Sequence, residues 1–141
     1  MNYFAYGSNM DVQQMAVRCS DAVVVGAACL PAHRFLINTH GVATVVPSEG
    51  EVVHGVLWAI SNADEASLDH YEGVAAGFYR KLITRVRLND GSAADALIYV
   101  ARDHMPGRAR PGYLERVLAA AQRHRLPGAH LAVLHKGLAD G

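Results

Sequence analysis

Apolar and polar residues alternate in short runs along most of this chain, and helical spacing is confined to a few stretches. From Tyr79 to Leu88 the alternation is regular, with Leu82, Thr84, Val86 and Leu88 on one side and Lys81, Ile83, Arg85 and Arg87 on the other. That period predicts a half-buried strand. Asn89-Asp90-Gly91 is a hairpin signal, and Ala93–Ala101 reads as the returning strand. Upstream, Ala22–Leu30 is a valine-rich strand that Pro31 breaks. Arg34–Asn38 and Val42–Val46 flank a His40-Gly41 turn, and Val52–Ile60 follows a turn at Ser48-Glu49-Gly50-Glu51. Asn62, with Glu65 three positions later, has the capping-box pattern of a helix running to about Tyr71, where Gly73 is placed to end it. In Tyr113–Arg125 the residues Tyr113, Leu114, Val117, Leu118 and Ala121 share one face, which predicts an amphipathic helix. Pro127-Gly128 breaks it, and a short segment to Leu138 reads as helix. Roughly six or seven strands and two or three helices, joined mostly strand to strand, predict an α+β fold with a largely antiparallel sheet.

The opening stretch changes the picture from fold to chemistry. Tyr3, Phe4 and Tyr6 are strand formers, Gly7, Ser8 and Asn9 are turn and cap residues, and Asp11–Val17 reads as the first turns of a helix. A strand, a small-residue turn and a helix start in series present backbone N–H groups and the positive end of a dipole to an anion.

Composition narrows the classes. The length of 141 residues suggests one domain over 1–141, and 51% hydrophobic residues suffice for a core. Thirteen basic residues balance thirteen acidic ones, so no electrostatic footprint for nucleic acid or a membrane surface is expected. Arg102, His104, Arg108 and Arg110 form the only basic cluster, read either as a solvated loop over Asp103–Pro111 or as a rim that attracts a carboxylate. Cys19 and Cys29 match no zinc or redox spacing and are expected as buried thiols in a cytoplasmic protein. No basic and apolar leader opens the chain, and no apolar run is long enough to span a bilayer. The eight histidines include no His-x-x-x-His pair, so no metal site is expected.

Two motifs together are specific. Tyr6-Gly7-Ser8-Asn9, with Glu72-Gly73-Val74-x-x-Gly77-x-Tyr79, resembles the γ-glutamylcyclotransferase family (cyclotransferase-like, avirulence-induced-gene-like domains). The likeness runs from Asn2 to about Leu126, with Ala43-Thr44-Val45 and Gly55-Val56-Leu57-Trp58 in order between the motifs. The resemblance implies a small, mixed, mostly antiparallel β-barrel with flanking helices. It also implies an enzyme that cyclises a γ-glutamyl amine or amino acid to 5-oxoproline and releases the free amine. Such an enzyme works on a small-molecule γ-glutamyl substrate without metal or cofactor, as a monomer or homodimer. The alternative is a module of the same fold that has lost catalysis and binds a small carboxylate or a protein.

Cyclisation needs a proton carrier, an anchor for the α-carboxylate and a partner for the oxyanion. By pattern alone Glu72 is a helix-end residue. The resemblance makes it the catalytic glutamate, with the helix dipole, the like charge of Asp69 one turn earlier and any burial expected to raise its pKa. Tyr6, Gly7, Ser8 and Asn9 are expected to bind substrate through the backbone of the turn. Tyr79, Tyr99 and Tyr113 read as core by composition and as pocket tyrosines by resemblance. Ser8 lacks a Gly-x-Ser-x-Gly context and is not read as a nucleophile. Asp69 and Arg80 are read as exposed.

Overall fold

The computed structural model describes residues 1–140 and contains five strands, four α-helices and one 3₁₀ turn. The strands are β1 (Asn2–Ala5), β2 (Val23–Ile37), β3 (Ala43–Ala59), β4 (Tyr79–Leu88) and β5 (Ala93–Ala101). They close into a barrel in the order β1-β3-β2-β4-β5. All neighbours are antiparallel except β1 and β5, which meet in parallel where Tyr3 faces Leu97. The mixed, mostly antiparallel barrel is thus the observed architecture.

Fewer strands form than the pattern predicts, because two apparent breaks are irregularities within long strands. Pro31 pairs with Val52, and the register shifts between Pro31 and His33, where Ala32 takes a φ of 59°. A proline cannot donate to the ladder, and it sits here at a bulge, where none is required. On the facing strand Pro47 pairs with His33 and Val52 with Pro31. Ser48-Glu49-Gly50-Glu51 is therefore an excursion from which β3 returns to the same neighbour.

Alternation along the strands sorts the apolar residues into two clusters. Phe4, Leu30, Val45, Val53, Leu57 and Ile98 fill the barrel. Tyr3, Val56, Trp58, Leu97 and Tyr99 point the other way and pack with Met15, Leu68, Leu114, Val117 and Leu134 from the helices. These helices are α1 (Val12–Arg18), α2 (Asn62–Tyr71), α3 (Tyr113–Arg123) and α4 (Gly128–Asp140). The cap of α2 lies one residue earlier than expected: Ser61 Oγ accepts from Asp64 N at 3.1 Å while Asp64 Oδ2 accepts from Ser61 N at 3.1 Å. β4 is more exposed than its alternation suggests, with only Val86 buried, because β2 pairs with it only at Arg87 and Leu88. Among the described residues no helix is long and apolar enough to cross a membrane. Cys19 is buried and Cys29 only half-buried, and both are free thiols.

Candidate active site

One end of the barrel gathers the motif residues. β1 delivers Tyr6 and Gly7 to the 3₁₀ turn Ser8–Met10, where Met10 N–H donates to Gly7 O and Asp11 N–H to Ser8 O. Asp11 then caps α1 by accepting from Gln13 N. The C-terminus of α2 delivers Glu72, whose N–H still bonds to Leu68 O at 2.8 Å. Gly73, at φ 62°, turns the chain out of the helix. The start of β4 brings Tyr79, β5 brings Tyr99, and the start of α3 brings Tyr113. Together they line a cavity of about 460 Å³, a size suited to a small ligand. All eight residues singled out from sequence (Tyr6, Gly7, Ser8, Asn9, Glu72, Tyr79, Tyr99 and Tyr113) lie on its wall.

Their individual roles differ from the expectation. Asn9 is buried, and its side chain, not only its backbone, is engaged. Its Nδ2 donates to Glu72 Oε1 at 3.2 Å and to the Tyr3 hydroxyl at 3.0 Å. Its Oδ1 accepts from Gln14 Nε2 at 2.8 Å and from Arg18 at 3.1 Å. The amide thereby uses its full bonding capacity and holds one carboxyl oxygen of Glu72 in place.

Glu72 is half-buried, and burial pushes its carboxyl up to about 7, against smaller opposing effects from the Arg18 cation and the Asn9 hydrogen bond. The expected contribution of Asp69 is not what raises it. Asp69 is half-buried rather than exposed, and it is engaged elsewhere, by the Tyr99 hydroxyl at 2.7 Å and by Lys81 at 3.0 Å. Arg80 is exposed and lies outside the cavity wall.

The tyrosine hydroxyls divide into occupied and open ones. Tyr6 donates to the carbonyl of Tyr99, and its ring packs inside the barrel near Phe4. Tyr99 gives its proton to Asp69. Tyr79 donates to Ala43 O at 2.6 Å, and the hydroxyl of Tyr113 accepts from Ala43 N at 3.1 Å. The two hydroxyls thus hold the backbone of one residue, Ala43, on both sides, and accepting from Ala43 leaves the Tyr113 proton to be donated. Burial raises the pKa of all four hydroxyls, so each is a neutral donor at physiological pH. A Cβ on Gly7 would stand 2.9 Å from the Tyr113 hydroxyl, so glycine is needed there for close approach. Its φ of −115° requires no glycine.

Tyr3, Gln14, Arg18 and His40, which the motifs do not single out, also line the cavity, as does Arg110 of the basic cluster. Gln14 and Arg18 carried a legible signal, since they stand one turn apart on the helix that follows the motif. Of the four residues in the basic cluster only Arg110 reaches the cavity wall, fastened by its Nε to His40 O at 2.8 Å and by its N–H to Gly41 O at 3.0 Å. Arg18, Arg110 and Arg116 line the cavity, and Glu72 is the one carboxylate among its lining residues. Among the described residues no group of three or more His, Cys, Asp or Glu is arranged to hold a metal.

Fold and motif agree with what the chain is similar to. The family model described as gamma-glutamyl cyclotransferase, AIG2-like, matches residues 3–116, and the chain belongs to that family. The bovine gamma-glutamylcyclotransferase is 29% identical over 135 residues, which cover 89% of this chain and 72% of the bovine one. The mouse gamma-glutamylcyclotransferase is 27% identical over the same shares. A solved structure of a gamma-glutamyl cyclotransferase superposes with a TM-score of 0.90 at 26% identity, covering 96% of this chain and 86% of that one.

Proposed function

We propose that this protein is a γ-glutamylcyclotransferase, converting a γ-glutamyl compound into 5-oxoproline and a free amine, with Glu72 as its proton carrier. One observation carries this reading. A carboxyl raised by burial to about 7 is held by the Asn9 side chain in the same cavity wall as the Gly7–Asn9 turn and the Tyr113 hydroxyl, and it is the one carboxylate among the lining residues.

The substrate's α-nitrogen attacks its own γ-carbonyl carbon, the old C–N bond breaks, and a five-membered lactam forms. Two protons leave the α-ammonium as it becomes the lactam N–H. Two arrive on the departing nitrogen as it becomes an ammonium, so no water is consumed. A single carboxylate poised near neutrality can carry them in turn, which is the condition for efficient general acid–base catalysis. Because nucleophile and electrophile are tethered, holding the folded conformer supplies much of the acceleration. The backbone N–H groups of Gly7–Asn9 and the Tyr113 hydroxyl suit the α-carboxylate or the oxyanion. The side chain of Asn9 fixes Glu72 rather than touching substrate. The three arginines favour leaving groups that carry a carboxylate over polyamines.

The test is 5-oxoproline release, followed by mass spectrometry, from γ-glutamyl amino acids, γ-glutamyl-lysine, glutathione and γ-glutamyl amines, with and without chelator. At least one should give product, insensitive to chelator. No product from any of them, together with tight binding of 5-oxoproline or glutamate, would mean a binding module. A soaked structure should place 5-oxoproline against Gly7–Asn9 and beside Glu72, and finding it in another cleft would remove the assignment.

A further inference from the structure

The mouth of the cavity carries two large apolar rings in water. Tyr71 is 49% exposed and Phe78 is 53% exposed, and both line the cavity. They flank Glu72 in the chain. Tyr71 precedes it directly, and the turn after Gly73 brings Phe78 back through its N–H to Gly73 O at 3.1 Å. Each ring has a neighbour against it. The Arg18 guanidinium lies 4.4 Å from the centre of the Tyr71 ring, and the His40 ring meets Phe78 edge-on at 5.6 Å. Exposed aromatic surface at the rim of a polar cavity marks a place where a ligand covers it.

Resting on the reading above, the geometry also fixes which part of the ligand arrives there. Glu72 must reach both the α-nitrogen and the departing nitrogen, and with the glutamyl half against the turn and Tyr113 the space left beside Glu72 is the mouth lined by Tyr71 and Phe78. The departing group therefore leaves on the Glu72 side, past Tyr71 and Phe78. Arg18 stands behind Tyr71, and among the described residues the only hydrogen bond of its guanidinium goes to Asn9 Oδ1 and it has no ion pair. A guanidinium has five N–H donors, so a carboxylate can dock on those that remain.

We infer that this mouth is a leaving-group subsite selective for amino acids with apolar side chains, with Tyr71 and Phe78 covering the side chain and Arg18 binding the carboxylate. Three substrates separate the parts. γ-Glutamyl-leucine offers both features, γ-glutamyl-glycine lacks the side chain, and γ-glutamyl-3-methylbutylamine keeps the side chain but lacks the carboxylate. In the wild type, kcat/KM for the leucine compound should exceed each of the others by about tenfold or more. Phe78→Ala and Tyr71→Ala should collapse the leucine-to-glycine ratio, and Phe78→Leu, which keeps apolar surface, should largely retain it. Arg18→Gln should collapse the ratio of leucine to 3-methylbutylamine instead. Ratios within twofold of wild type in all the variants, or a wild type without preference, would overturn the subsite while leaving the cyclotransferase reading intact. A wild type that releases 5-oxoproline from none of these or the other γ-glutamyl compounds would overturn that reading, and the subsite with it.

Discussion

Two buried regions of this molecule hold a titratable group far from its ordinary pKa, and they are opposites. At the open end of the barrel, Glu72 is raised by burial to about 7, yet it is bonded to Asn9 and faces a cavity. On the inner side of α4, His130 is lowered to about 4 by burial and by neighbouring His54, its Nε2 has no partner among the described residues, and it packs edge-on against Phe35. Both perturbations have the same physical origin, since each site disfavours the charged form. Glu72 has a satisfied network behind it and room for a ligand in front. His130, carried by α4 itself, is buried against Phe35 and His54 and does not line the cavity. A shifted pKa thus marks burial, and it marks chemistry only where geometry leaves the group something to act on.

The comparison can be broken at either end. The largest effect is expected from Glu72→Gln, which keeps shape and loses the proton carrier. Turnover should fall by roughly 10²–10⁴-fold while 5-oxoproline still binds. The same variant should gain stability in alkali. The folded pKa of Glu72 lies above its ordinary 4.5, so its cost to stability grows from about pH 4.5 to 7 and persists above. Melting curves at pH 8 should show Glu72→Gln more stable than wild type by up to about 3 kcal/mol, with no difference at pH 4. Equal curves at both values would mean that the carboxyl is not desolvated.

His130→Leu should do the reverse. A lowered histidine pKa contributes stability that is present above about 6.5 and is lost as pH falls toward 4. The variant should resist acid better than wild type by up to about 3 kcal/mol and turn over at the wild-type rate. A rate that follows His130 would bring this region into the mechanism.

Asn9→Ala sharpens the difference, because it strips Glu72 of the support that His130 never had. Without that hydrogen bond the carboxyl should titrate higher. The acid limb of the rate profile should then move upward, with about a tenfold loss near neutrality. A lower rate with an unmoved limb would leave Asn9 a purely structural residue.

Gly7→Val should lower activity through the Tyr113 hydroxyl that its side chain would strike. Measured as substrate binding and turnover together, a harmless Gly7→Val would show that the turn yields without disturbing the site.

Much of this was legible in the chain. The Tyr6–Asn9 turn, the Asn89-Asp90-Gly91 hairpin and the stripe of α3 are local patterns, and the fold keeps them. Two things were not legible. Whether Pro31 and Ser48–Glu51 end a strand or only buckle it depends on what pairs across from them, and local pattern is silent about partners. Which of the expected causes raises the pKa of Glu72 (helix dipole, Asp69 or burial) also depends on packing: it is burial, and Asp69 is taken up by an ion pair with Lys81 and a hydrogen bond from Tyr99. Arg18 and Gln14 acquire meaning only when α1 folds back over the turn to reach Asn9.

In the proposed function Glu72 works as a near-neutral proton carrier, and the pH dependence of kcat/KM for 5-oxoproline release tests that most directly. The wild type should show an acid limb with a midpoint of about 7, which vanishes with the activity in Glu72→Gln. A limb at the ordinary carboxylate value, or a Glu72→Gln enzyme that keeps the wild-type profile, would contradict it.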